Sequence, residues 1–126
     1  MKRSLMQVYI KNSGEAVQYY QNVFDAKALC DHRHENGTVA HAELDILGQV
    51  FAICEARDDE TVTGNVMQFC LHLGEGKEDY ARKVYDILKN DCIKLTVPIT
   101  SPGECPWSPC LFGVIDKFGV NWCIFV

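Results

Sequence analysis

Between positions 30 and 43 lie Cys30, His32, His34, His41 and Glu43, side chains able to hold a metal ion together. Asn36-Gly37 lies among them and is a strong short hairpin signal. If it forms a two-residue turn, His32 lies opposite His41 and Cys30 opposite Glu43, and strand alternation gathers all five on one face. A thiolate, imidazoles and a carboxylate so placed are ligands for a divalent transition metal such as Zn, Ni, Fe or Mn. The plainer expectation is a polar hairpin face washed by solvent, with His32, His41 and Glu43 as the ligand set of the alternative. A second chemistry would be nucleophilic, with Cys123 or Cys70 beside His72. A reactive thiolate needs an electropositive, partly exposed setting, and those strands bring no Lys or Arg near, so this chemistry is disfavoured. Cys105 and Cys110 are separated by Pro106-Trp107-Ser108-Pro109, which is not the redox Cys-x-x-Cys spacing.

The elements that must position these groups follow from periodicity. Residues 5–10 alternate, with Met6, Val8 and Ile10 on one side and Leu5, Gln7 and Tyr9 on the other, which predicts a strand. Asn12-Ser13 offers an N-cap and Glu15 an acid in the first turn. Ala16, Val17, Tyr20, Val23 and Phe24 recur at helical spacing and predict an amphipathic helix over 14–24. Strands are expected over 27–33, 38–46 and 49–55, with a turn at Leu47-Gly48. After a polar, acidic linker over 58–64, the order starts again. A strand is expected over 65–73 and a helix over 77–89. Strands over 93–97, 110–115 and 120–126 follow, with a proline-rich loop at 98–109 that holds Trp107.

The two halves thus share a β-α-β-β-β order, and their last hairpins agree residue by residue. Asp45, Gly48, Phe51 and Ile53 match Asp116, Gly119, Trp122 and Ile124 at a shift of 71 residues. The chain reads as one domain of 126 residues made of two tandem modules, about 4–57 and 65–126.

Composition narrows the function classes. Twelve basic residues against seventeen acidic ones, with no basic cluster, argue against nucleic acid as a partner. No apolar run approaches the length that spans a bilayer, so no membrane partner is expected, and the cytoplasm is the expected compartment. Seven cysteines without a secretory pattern predict buried thiols rather than a disulfide framework, with Cys54, Cys70 and Cys123 inside apolar strands.

Gly14-Glu15-Ala16-Val17-Gln18-Tyr19-Tyr20-Gln21-Asn22-Val23-Phe24, His41-Ala42-Glu43-Leu44, Trp107 and Asp116-Lys117-Phe118-Gly119-Val120-Asn121-Trp122, in that order, give the chain a family resemblance. It resembles the PhnB-like branch of the vicinal oxygen chelate superfamily, which includes glyoxalase I, extradiol dioxygenases and the bleomycin and fosfomycin resistance proteins. Lys117 and Val120 depart from the branch, where Pro and His are common. The resemblance implies an α+β fold in which the two modules form a curved mixed sheet around a cleft. It also implies a homodimer and a small-molecule ligand.

Metal-dependent members of that superfamily hold a divalent ion with His and Glu on the cleft faces of the first and fourth strands of each module. Carried onto this chain, those positions fall near Leu5 or Gln7, on Ala52, near Gln68 and on Cys123. None carries His or Glu, and Glu55 falls on the opposite face at a strand end. The expectation is therefore a protein without a metal cofactor, whose cleft is lined by Gln7, Tyr9, Gln68, His72, Trp107, Phe112 and Cys123. Gln7 and Gln68 would bond a ligand or each other, and Trp107 would act as a lid or as a loop anchor. The alternative is a metal-dependent lyase or dioxygenase of glyoxalase type. A methyltransferase label also attaches to the branch, but no Gly-rich strand-to-helix turn for a nucleotide-like cofactor is found.

Overall fold

The structure, a computed structural model, describes residues 1–57 and 64–126, so the expected linker lies outside the described residues except for Gly64. The chain clusters into two compact units, Met1–Thr61 and Val62–Val126.

The first unit runs β1 (Met6–Ile10), α1 (Ser13–Phe24), β2 (Lys27–Arg33), β3 (Val39–Ile46) and β4 (Gln49–Glu55). Its sheet has the order β1-β4-β3-β2, with β1 parallel to β4 and the other pairs antiparallel. Alternation decides which side is covered. Ala16, Val17, Tyr20, Val23 and Phe24 of α1 are buried with Ile10, Ala42, Leu44, Phe51 and Ile53, and the Tyr20 ring meets that of Phe51 edge-on at 5.0 Å. Each fully buried Val, Leu, Ile or Phe among them contributes about 1.5–3 kcal/mol.

The start of α1 is built differently from the expected cap. Asn12 has a left-handed backbone (φ 59) and makes no side-chain capping bond. Instead the Ser13 N–H donates to Glu55 Oε2 at 3.1 Å, while Ser13 Oγ accepts the Val39 N–H at 2.8 Å. A carboxylate from the end of β4 therefore sits at the positive end of the helix dipole. This agrees with placing Glu55 on the helix side of the sheet.

The second unit repeats the order with β5 (Phe69–His72), α2 (Glu78–Leu88), β6 (Lys94–Val97), β7 (Leu111–Ile115) and β8 (Asn121–Phe125), arranged β5-β8-β7-β6. Ala81, Val84, Tyr85 and Leu88 of α2 are buried, as are Phe112, Val114, Trp122 and Ile124 of the sheet. The strand expected over 65–73 is shorter: pairing with β8 covers Phe69–His72, and Met67 is 75% exposed rather than packed on the helix side. Among the described residues, no helix is long and apolar enough to cross a membrane.

The matching hairpins differ by one residue at the turn. In the first unit Ile46 pairs with Gln49 across Leu47-Gly48, and both turn residues have positive φ (50 and 94), as a tight two-residue turn requires. In the second unit Asp116 and Val120 flank three residues. The Asp116 N–H donates to the Val120 carbonyl at 2.9 Å and the Gly119 N–H to the Asp116 carbonyl at 3.0 Å. The repeat therefore runs at 71 residues on the last strand but at 70 on the one before it, and Asp116 lands on the buried, helix-side face. There it is fully buried. Its Oδ1 accepts the N–H groups of Phe118 and Val120 at 2.9 and 3.0 Å, and its Oδ2 accepts Trp122 Nε1–H at 2.9 Å. Asp45 stays half-buried and accepts the Gly48 N–H at 2.6 Å.

Candidate functional site

The face of the first sheet turned away from α1 carries the groups singled out above. β1 contributes Gln7 and Tyr9, β4 contributes Ala52 and Cys54, β3 contributes His41 and Glu43, and β2 contributes Cys30. The register places Gln7 beside Ala52, Ala52 beside Glu43 and Glu43 beside Cys30.

The β2–β3 hairpin reaches the expected pairing by an unexpected route. Its loop has three residues, Glu35-Asn36-Gly37. The His34 N–H donates to the Thr38 carbonyl, the Gly37 N–H donates to the His34 carbonyl, and Gly37 has φ 86. The extra loop residue is offset by an irregularity between His32 and Arg33, so His32 still faces His41 and Cys30 still faces Glu43.

His34, in the turn, is not on the strand face. Facing pairs nevertheless do not all converge. Cys30, His41 and Glu43 bring their ligand atoms within 4.8 Å of one another. His32 is not in that group; both nitrogens of the His41 ring are engaged elsewhere, Nε2 at 2.9 Å from Glu43 Oε1 and Nδ1 at 3.6 Å from Cys54 Sγ. The expected His32, His41 and Glu43 set is thus corrected to Cys30, His41 and Glu43.

Glu43 is the hub of this row. Arg3 clamps it with two hydrogen bonds, Nη1 to Oε2 at 3.1 Å and Nη2 to Oε1 at 2.7 Å. The bond from Arg3, and then that from His41, holds the Glu43 carboxyl at about 2, against a smaller opposing effect of burial. With Glu43 ionised, His41 Nε2–H donates to it, and in the neutral ring Nδ1 accepts from the Cys54 thiol. The sequence of thiol, imidazole and carboxylate has the order of a nucleophile, base and orienting group. Burial nevertheless pushes the Cys54 thiol up, Arg57 only partly opposes it, and its side chain is nearly covered. The row is a bonded polar strip rather than an activated nucleophile.

On the second sheet, the face turned away from α2 carries Cys70, His72, Cys123 and Phe125. Cys70, expected in a buried strand, is exposed because it lies on this open face. The His72 ring stacks on Phe125, with centroids 4.5 Å apart. Gln68 Nε2–H donates to Asn121 Oδ1 at 3.1 Å, and Gln7 Nε2–H to the Tyr9 hydroxyl at 3.0 Å. Each of the two glutamines therefore finds a partner within its own unit.

One expected lining residue is placed elsewhere. Phe112 is fully buried on the helix side, 5.1 Å from the Tyr85 ring of α2, since it pairs with Ile124 and shares that residue's face. Trp107 is 72% exposed and does not anchor its loop. The loop is fastened instead by Ser108, whose Oγ accepts the N–H groups of Cys110 and Val126 and lies 2.7 Å from both their carbonyl oxygens.

Arg3 and Cys54 are the members that sequence reasoning missed. The Leu47-Gly48 turn fixes Cys54 beside His41 and would have found it. Arg3 precedes the first strand, where no periodicity applies.

The divalent ion implied by the resemblance can be tested on its donors. The corresponding positions hold Gln7, Ala52, Gln68 and Cys123. Ala52 has no donor atom, Gln7 and Gln68 are neutral amides, and the Cys123 thiol is pushed up to about 11 by burial and by Cys70. This set does not fit an imidazole and carboxylate site.

No family model matches the sequence, and no curated protein matches it. Solved structures do. The PhnB protein from Bacillus cereus is 23% identical, with a TM-score of 0.77 over 99% of this chain and 98% of that one. Protein PA1353 from Pseudomonas aeruginosa is 14% identical, with a TM-score of 0.78 over 99% and 97%. The fosfomycin resistance protein FosX from Listeria monocytogenes, complexed with Mn(II) and sulfate ion, is 12% identical, with a TM-score of 0.63 over 98% and 90%. The chain has the fold of these structures, the glyoxalase/bleomycin resistance/dioxygenase fold.

Proposed function

We propose that this PhnB-like protein binds a small, partly apolar molecule on the open sheet faces, without a catalytic divalent metal. One observation carries the reading: beside the exposed Tyr9, the polar groups of the first sheet are already bonded to one another, Glu43 by Arg3 and His41. A few fixed polar groups next to an apolar surface orient a small ligand. On the second unit, the same role falls to Gln68, His72 and Cys123.

A thermal-shift screen against bleomycin-like, aromatic and glutathione-derived compounds tests this. At least one should raise the melting temperature of the wild type and do so less for Tyr9→Ala, because a ligand that binds the folded state stabilises it by mass action. No shift with any compound removes the support. The homodimer implied by the resemblance belongs to the same proposal and is checked by light scattering.

A second reading is favoured by the convergence of Cys30, His41 and Glu43 within 4.8 Å. A thiolate, an imidazole and a carboxylate suit a transition metal, and the protein would then be a lyase or dioxygenase of glyoxalase type. Arg3 would have to release Glu43 first. Stoichiometric metal in untagged protein, together with hemithioacetal turnover, would establish this reading and overturn the first.

A further inference from the structure

Arg3 and a metal ion compete for one carboxylate. The Arg3 guanidinium takes both oxygens of Glu43, with Nη2 2.7 Å from Oε1 and Nη1 3.1 Å from Oε2. Oε1 is also the oxygen beside His41 Nε2, at 2.9 Å. Cys30 completes the group, with all ligand atoms within 4.8 Å of one another. The cation that fills this place is therefore one carried by the chain itself.

Strand pairing brings the three ligands together. Cys30 faces Glu43 across β2 and β3, and His41 stands two positions before Glu43 on the same side of β3. Around a tetrahedral zinc, ligands at about 2.0–2.3 Å from the ion stand some 3.4–3.6 Å from one another. The group brackets that spacing, so rotations of three side chains close it and the strands stay in place. Cys54 supplies the support behind it. With Nε2 on an ion, Nδ1–H of His41 donates to Cys54 Sγ, 3.6 Å away, as ligating imidazoles do with their second nitrogen.

The donors select the ion. Zinc accepts a thiolate, an imidazole and a carboxylate together, whereas magnesium and calcium take oxygen and monovalent copper takes sulfur. An ion on Oε1 leaves no place there for Nη2, and two cations so close repel. Arg3 has somewhere to go, since its side chain is 54% exposed and it lies outside any strand or helix.

We propose that Glu43 is the pivot of a cation exchange: zinc held by Cys30, His41 and Glu43 displaces Arg3 and releases the segment before β1, while Arg3 in place holds the ion off. The position of the ion rests on the second reading above; the exchange adds its regulation and requires no turnover. Because coupling between two binding events is reciprocal, whatever removes Arg3 must tighten zinc, and zinc must free Arg3.

The test is titration of reduced, untagged full-length protein with Zn(II) in competition with a chromogenic chelator. Wild type should hold one zinc per chain, and Cys30→Ser should lose it while Cys70→Ser retains it. Arg3→Ala should bind zinc about fivefold more tightly than wild type, the upper end of what a half-exposed ion pair contributes. Cobalt(II) in place of zinc should give a sulfur-to-metal charge-transfer band that is absent in Cys30→Ser. Zinc should also speed tryptic cleavage after Arg3 in wild type and not in Cys30→Ser. Equal zinc affinity in wild type and Arg3→Ala, or cleavage that zinc leaves unchanged, overturns the exchange and leaves the metal reading standing. No zinc bound by either protein overturns both.

Discussion

The open faces of the two sheets share one strand order and carry opposite donors. Gln7, Ala52 and Glu43 lie side by side on the first sheet, and Cys70, Cys123 and Gly113 hold the same places on the second. His41, Cys54 and Tyr9 are answered by Leu111, Phe125 and His72. The first face is knit by charge-assisted hydrogen bonds and the second by sulfur and stacked rings. Gly113 shows how far the divergence goes: a Cβ there would stand 2.5 Å from Thr96 Oγ1, so nothing like Glu43 fits its place. The fold fixes positions, and each strand then chooses hard or soft chemistry for them.

The sharpest way to break this comparison lies at the turns. Asp116→Ala strands three donors that the buried carboxylate now accepts, at a cost on the order of 3–4 kcal/mol. Asp45→Ala removes one bond at a half-buried site and should cost less than about 1 kcal/mol. Urea unfolding of both variants checks this, and equal losses would mean that the turns are equivalent after all. Gly113→Ala forces Thr96 aside and should cost about 1–2 kcal/mol in the same measurement, an overpacking effect.

The clamp on the first face adds a pH dependence. The Glu43 carboxyl is lowered from an ordinary 4.5 to about 2 in the folded chain. A depressed carboxyl contributes stability above its unfolded pKa and loses it as pH falls through the folded one. Wild type should therefore lose stability between pH 4.5 and 2 more steeply than Glu43→Gln. Parallel acid-denaturation curves for the two would show that the clamp contributes nothing.

Much of the fold was legible in the sequence because alternation and helical spacing are local signals. They give the element order and, through the apolar sides of β1, β4 and β8, the face of each sheet that meets its helix. The site was legible only in part. His41 and Glu43 followed from a hairpin whose loop was misjudged by one residue and whose strand irregularity compensated for it. Phe112 lies on the helix side because its pairing with Ile124 sets its parity, a relation between strands that its own apolar character does not reveal. The cap of α1 was missed because Glu55 lies 42 positions from Ser13 and no local rule connects them.

Arg3 adds a consequence of its own. It lies outside regular structure, more than half of its side chain is in solvent, and it holds a carboxylate forty positions away. Salt at about 0.1 M screens exposed charges beyond roughly 10 Å and weakens exposed contacts of this kind. Ionic strength thus acts as a dial on the segment before β1, loosening the grip of Arg3 while the apolar contacts of the sheet beneath stay in place.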